Sequence, residues 1–167
     1  PDMIIDFQAH VFPEAYIAEM NRLDGAVILE EPDPHSGMRY FYDKKLGCRI
    51  NTATFQGQDI AKRLKHMDQL GIDIHVLTIP APGADRFEGE GAIKIARVAN
   101  DTIATIVRQH PKRFIGFFTL PSCDIHASLE ELERSINDLG LRGFGCFANL
   151  NGQVLDREEL FPIYERL

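Results

Sequence analysis

The chain has 167 residues, 44% of them apolar and 26% charged, a balance that predicts one globular domain over residues 1–167 and argues against disorder. Eighteen basic against twenty-five acidic side chains give a net charge of −7, and no Lys/Arg cluster is present, so a nucleic-acid partner is not expected. The longest apolar stretches, 76–82 and 114–121, are too short to span a bilayer, and the N-terminus lacks the basic-then-apolar layout of a secretory signal, so no membrane partner and a cytoplasmic location are expected.

In chain order, residues 3–7 read as a first strand, buried on both faces. Residues 14–23 follow Pro13 as a short helix. Residues 26–56 break the pattern. Within them, 27–29, 40–42 and 49–55 are separated by the turn signals EEPDPHSG and DKKLG, which predict a small antiparallel β insertion after the first strand. Ile60, Leu64, Met67 and Leu70 share one face of a second helix stopped by Gly71. Residues 74–79 form a second strand closed by Pro80 and Pro82, and Asp85, Arg86 and Phe87 after it read as a flexible loop at the mouth of a pocket. Ile93, Ala96, Ile103 and Ile106 stripe a third helix that ends before Pro111. Residues 114–120 form a third strand. Leu129, Leu132, Ile136 and Leu139 stripe a fourth helix, with Ser128 and Glu131 as a capping box or Asp124 as a rival cap. Residues 141–147 form a fourth strand, Asn149 and Asn151-Gly152 a tight turn, and a last helix starts near Asp156.

Strands alternating with helices imply a parallel sheet with helical crossovers. The fold class is therefore α/β. Four strands allow an open sheet, or about the first half of a TIM-barrel-like (β/α)8 barrel, which takes roughly 250 residues. An insertion after a barrel strand lies on the face that carries active sites.

Chemistry concentrates on the first strand. Asp6, Gln8 and His10 alternate along it, so Gln8 and His10 can point into one site. A neutral imidazole is a good ligand for zinc and related divalent metals, whereas a Gln amide oxygen is a weaker one. A single histidine at a strand end also serves as an ordinary structural residue. His75, with Asp73 two residues earlier, reads as structural. His35, His66, His110 and His126 fall in loops or on polar helix faces. Cys48, Cys123 and Cys146 form no paired motif and read as buried free thiols of a reducing compartment. Arg49, in the insertion, has a planar guanidinium suited to a substrate carboxylate. A solvated hairpin arginine is its other reading, and Lys44 and Lys45 read as a solvated turn.

The first-strand segment Asp6-Phe7-Gln8-Ala9-His10-Val11-Phe12-Pro13 resembles the Asp-x-His-x-His signature of the amidohydrolase superfamily, in the branch of aminocarboxymuconate-semialdehyde decarboxylase. RLKHMDQLGIDIHVLTIP, ANDTIATIVRQHPKRFIGFFTLP and LEELERSINDLGLRGFGCFANLNGQVLDREELFPIYERL are similar to its next helices and strands, so the likeness covers nearly the whole chain. The resemblance implies a metal-centred barrel that hydrolyses, or non-oxidatively decarboxylates, a small carboxylated or carbonyl compound. It implies His10 as a metal ligand helped by Gln8, which stands where the family carries its first histidine. Zinc is the expected metal, with manganese or iron as alternatives, and Gln8 would weaken its retention. It implies Arg49 near the position of substrate-binding basic residues. The family's remaining ligands, histidines after the fifth and sixth strands and an aspartate after the eighth, are expected beyond Leu167, and the catalytic residues with them.

Two rival readings accompany this one. A half-barrel with open edges at its first and fourth strands would suit a catalytically silent assembly or binding module, an obligate homodimer. A helix still running at Leu167, and Pro1-Asp2 ahead of Met3, suit a portion of a longer polypeptide.

Overall fold

Apolar segments in this chain pair side by side, and amphipathic segments between them return the chain across one face. The computed structural model describes residues 3–23, 27–36, 38–53, 59–150 and 152–167. Its elements are β1 (Ile5–His10), α1 (Glu14–Arg22), β2 (Val27–Leu29), β3 (Arg39–Asp43), β4 (Cys48–Ala53), α2 (Ile60–Leu70), β5 (Ile74–Thr78), α3 (Gly89–Gln109), β6 (Phe114–Phe118), α4 (Ile125–Asn137), β7 (Gly143–Phe144) and α5 (Phe161–Arg166). β1, β5, β6 and β7 lie in that order and run parallel, as successive strands of a (β/α)8 barrel do. Among the described residues, β1 and β7 have a neighbour on one side only. β2, β3 and β4 form a separate antiparallel sheet between β1 and α2, as the turn signals predict.

Local signals set the helix ends. Asp59 caps α2 by accepting from the Lys62 N–H, and Gly71 ends it in the left-handed region at φ 68°. Asp124, not Ser128, caps α4 by accepting from the Ala127 N–H, while the Ser128 hydroxyl donates to the Pro121 carbonyl. α3 buries a small-residue stripe that includes Ala92, Ala96, Ala99 and Ala104 and packs against β6. Gly116 in β6 permits that approach: a β-carbon there would sit 2.5 Å from Leu141 Cδ2 and 2.6 Å from Ile103 Cγ2.

A buried amide ties three elements together beyond β6. Asn100 of α3 donates to the Thr119 carbonyl and to Glu131, and its Oδ1 accepts the Thr119 N–H. This network explains a departure from the expected α4 stripe. Ser128, Glu131 and Ser135 are buried with Leu132, whereas Ile136 is 41% exposed. α4 rolls its polar partners toward Asn100, because an unmet buried amide would cost more than an exposed isoleucine.

Three further expectations are corrected. β1 is not buried on both faces: Phe7 is 64% exposed, because helices cover only the opposite face, where Ala9 joins the core. The fourth strand shortens to Gly143–Phe144, since only Phe117 and Phe118 of β6 pair with it. The three cysteines are free but exposed rather than buried.

Nor is the segment after β5 a flexible loop. Residues 84–86 make a turn of 3₁₀ helix, Phe87 is buried, and Arg86 pairs with the fully buried Asp43 at the end of β3. Asn51 of β4 donates to the Ala81 carbonyl, and the buried Tyr16 hydroxyl of α1 donates to Pro82. These contacts clamp the small sheet over the C-terminal end of β5. Burial alone would raise the Asp43 pKa, but the Leu46 N–H and the Arg86 guanidinium outweigh it and hold the carboxyl below its usual range. A folded-state pKa below the unfolded one stabilises above the unfolded value, and that stability is lost as pH falls through the folded one. Asp43→Ala is therefore expected to cost about 3 kcal/mol at neutral pH. In urea titrations, the wild-type advantage should be complete above about pH 4 and shrink below it.

Candidate functional site

The pairing of β1 with β5 is irregular at one point. Asp6 opposes His75 and Ala9 opposes Leu77, so Phe7 and Gln8 together oppose Val76. Such a bulge re-aims side chains. Here Phe7, Gln8 and His10 all line one cavity of about 560 Å³ at the C-terminal ends of the strands, while Ala9 turns into the core. The two sequence-predicted metal donors, Gln8 and His10, thus share a wall.

The backbone around the bulge is held by two side chains and a main-chain bond. The Asp6 carboxylate accepts the Gln8 N–H at 2.9 Å. Arg63 of α2 donates to the His10 carbonyl at 2.6 Å. The Val11 N–H donates to the Thr78 carbonyl at 3.0 Å. Nδ1 of His10 lies 2.9 Å from Oγ1 of Thr78, the last residue of β5. Desolvation lowers the His10 pKa from its ordinary value, Asp6 pulls it back up, and Arg63 adds to the lowering. The imidazole is neutral at pH 7, the form a metal requires.

His75 is structural, as its position suggests. It is buried beneath α2, where Arg63 Nη1 lies 3.3 Å from its Nδ1. A guanidinium can only donate, so Nδ1 accepts and the ring proton sits on Nε2, which stands 3.6 Å from the Asp6 carboxylate. Desolvation and Arg63 lower the His75 pKa.

A regular strand would put Arg49 and Asn51 on one face, and here they lie on opposite faces. In the β3–β4 ladder Asn51 opposes Phe41 and Arg49 opposes Tyr42, which leaves Ile50 as an extra residue. Asn51 shares the side of the buried Phe41 and lines the cavity. Arg49 turns outward, where its Nε donates to Glu30 at 2.6 Å and its guanidinium stacks 4.2 Å above the Tyr40 ring. Asn51 is the residue that sequence reasoning missed, since nothing in the string INTATF marks a bulge.

The other walls are aromatic. Phe117, Phe144 and Phe147 join Phe7 around the cavity, with Phe7 and Phe117 edge-to-face at 6.3 Å. Cys146 also lines it. Desolvation and the nearby Asp85 raise its pKa, so it stays a thiol at neutral pH. Gly152 donates to the Asn149 side chain in the expected turn, and Asn151 lies outside the described residues. A second cavity of about 430 Å³ is lined by Asp85, Ser122, Cys123 and Arg157 among others, and by no histidine.

The fit to a metal is partial. Among the described residues, no three His, Cys, Asp or Glu side chains gather as a metal-binding group. His10 and Gln8 can furnish two donors of the usual four or more. No helix among the described residues is long and apolar enough to cross a membrane.

Known proteins are similar to this chain in sequence and arrangement. A family described as Amidohydrolase (Amidohydro_2) matches residues 5–167. A 2-amino-3-carboxymuconate-6-semialdehyde decarboxylase of Dictyostelium discoideum is 39% identical over 166 residues, covering 96% of this chain and 45% of that protein. A 5-carboxyvanillate decarboxylase from Novosphingobium aromaticivorans, solved with manganese and 4-hydroxy-3-methoxy-5-nitrobenzoic acid, is 33% identical with a TM-score of 0.59 over 62% of this chain and 30% of its own. An IDCase from Metarhizium anisopliae in apo form shares the fold at 24% identity, with a TM-score of 0.77 over 99% of this chain and 47% of that one. The chain thus spans about half the length of such relatives, or less.

If position 8 faces a metal, Gln8→His replaces a weak amide donor with an imidazole. Zinc affinity by calorimetry should rise at least about tenfold, equivalent to ~1.4 kcal/mol. An unchanged affinity would remove Gln8 from the ligand set.

Proposed function

The chain belongs to the amidohydrolase family, and from that premise we propose that it supplies the first-strand ligands of a divalent-metal site in a decarboxylase of small carboxylated aromatic compounds. The observation that carries the reading is the shared cavity: a neutral His10 and the Gln8 amide on one wall, phenylalanines on the others. The manganese and the nitrobenzoic acid bound by the 33%-identical decarboxylase support both the metal and the substrate class.

Each residue has a separate task. His10 donates a nitrogen lone pair, and Gln8 a neutral amide oxygen. A bound divalent metal would polarise the substrate carboxylate or carbonyl and lower the pKa of water. Phe7, Phe117, Phe144 and Phe147 offer faces and edges to a planar ring and keep water from its flanks. Asn51 brings a polar side chain from the small sheet to the rim, held in place by the Ala81 carbonyl. Arg49 would have to leave Glu30 and Tyr40 to reach a substrate carboxylate, so its expected role gains no support from its placement. Manganese suits the oxygen donor and zinc the imidazole. A reducing, cytoplasmic setting fits three free, exposed thiols.

Carbon dioxide release from ortho-hydroxylated benzoates and from carboxylated muconate-type acids tests the reading, in the polypeptide that carries these residues. Chelation should abolish release and manganese should restore it. His10→Ala should lower it more than about 100-fold, beyond the 10–100-fold typical of losing a ligand's supporting partner. Release that survives both chelation and His10→Ala would refute the proposal.

A further inference from the structure

The contact between His10 and Thr78 has two possible directions, and they give the cavity opposite chemistry. A neutral imidazole carries one N–H, and a hydroxyl can donate or accept. If Thr78 donates to Nδ1, the ring proton sits on Nε2, and that nitrogen has no lone pair for a cation. If Thr78 accepts, the proton sits on Nδ1 and Nε2 keeps its lone pair. In water the neutral ring favours the first arrangement, so the second has to be imposed by a neighbour.

The structure supplies a neighbour able to impose it. His10 and Thr78 are direct partners in the parallel β1–β5 ladder, which sets their side chains together on the cavity face. Oγ1 stands 2.9 Å from Nδ1. Thr78 is β-branched, so the place of its methyl decides the place of its hydroxyl. The methyl lies on the side of Gly145, where a β-carbon would come within 3.6 Å of Thr78 Cγ2. Both main-chain segments are fixed as well, His10 by Arg63 and Thr78 by Val11. The ring and the hydroxyl therefore meet without either having to search for the other.

We propose that Thr78 is a positioning residue: its Oγ1 accepts the Nδ1–H of His10 and holds the ring in the tautomer that leaves the Nε2 lone pair available at the cavity. The inference rests on the reading of His10 as a metal donor, but the tautomer is readable without any metal. It asks nothing of Gln8 or of ligands outside this chain.

Long-range proton–nitrogen NMR of the imidazoles, at a pH where His10 is neutral, distinguishes the two tautomers. His10→Gln identifies the signal among the six histidines. The wild-type chain should show the proton on Nδ1. Thr78→Val keeps the shape and removes the acceptor, and should move the proton to Nε2. Thr78→Ser keeps the hydroxyl and should retain the wild-type tautomer. Titration with zinc should then shift Nε2 in the wild type, with about tenfold weaker binding in Thr78→Val and little change in Thr78→Ser. A wild-type ring protonated on Nε2, or a tautomer unmoved by Thr78→Val, would overturn the assignment. An Nδ1–H tautomer with no response to millimolar zinc would leave the assignment of Thr78 standing and refute the metal reading of His10 instead.

Discussion

The site depends on one irregular turn of backbone, the bulge that sets Phe7 and Gln8 together against Val76. In a regular strand, Gln8 and His10 would share a face and Phe7 would lie on the other. The extra residue keeps Gln8 and His10 facing the cavity and brings Phe7 round to join them, while Ala9 remains in the core. The candidate donors and one aromatic wall therefore come from three residues within a stretch of four. The bulge is held by the Asp6 carboxylate on the Gln8 N–H and by Arg63 on the His10 carbonyl. Asp6 thus braces the strand.

From that strand the support spreads outward. Arg63 joins α2 to β1 and, through His75, to β5. The small antiparallel sheet reaches the far side of the cavity through Asn51 and is anchored by the Asp43–Arg86 pair. Arg113 fastens the opposite end of the sheet by donating to the Ile72 and Asp73 carbonyls and to the Asp68 carboxylate. The rigid end of the fold is thereby separated from the chemically open end, an arrangement common to barrels whose sites are carried by the loops after the strands.

Much of this is legible in the sequence. β5 and β6 are short apolar runs closed by proline, and Gly71 names the end of its helix unaided, whereas the structure decides for Asp124 over Ser128 as the cap of α4. Gln8 and His10 are readable as a pair because strand alternation needs no tertiary information. Other features depend on what the chain meets in space. An apolar run such as that of β1 does not say which of its faces a helix will cover. The bulges at Gln8 and Ile50 each invert facing by one residue, and no local composition marks them. Attention thus falls on Arg49, whose charge is conspicuous, rather than on Asn51, whose place is set by a ladder. Nothing local in the sequence says that Glu131 and Ser135 are buried, because the amide they meet, Asn100, lies on another helix.

The central claim is that His10 and Gln8 face a metal across the cavity. Anomalous diffraction from manganese-soaked crystals tests it most directly. The account predicts a peak within bonding distance of His10 Nε2 and close to the Gln8 amide oxygen, and its loss in His10→Ala. A peak elsewhere, with the His10 side of the cavity empty at saturating manganese, would contradict it.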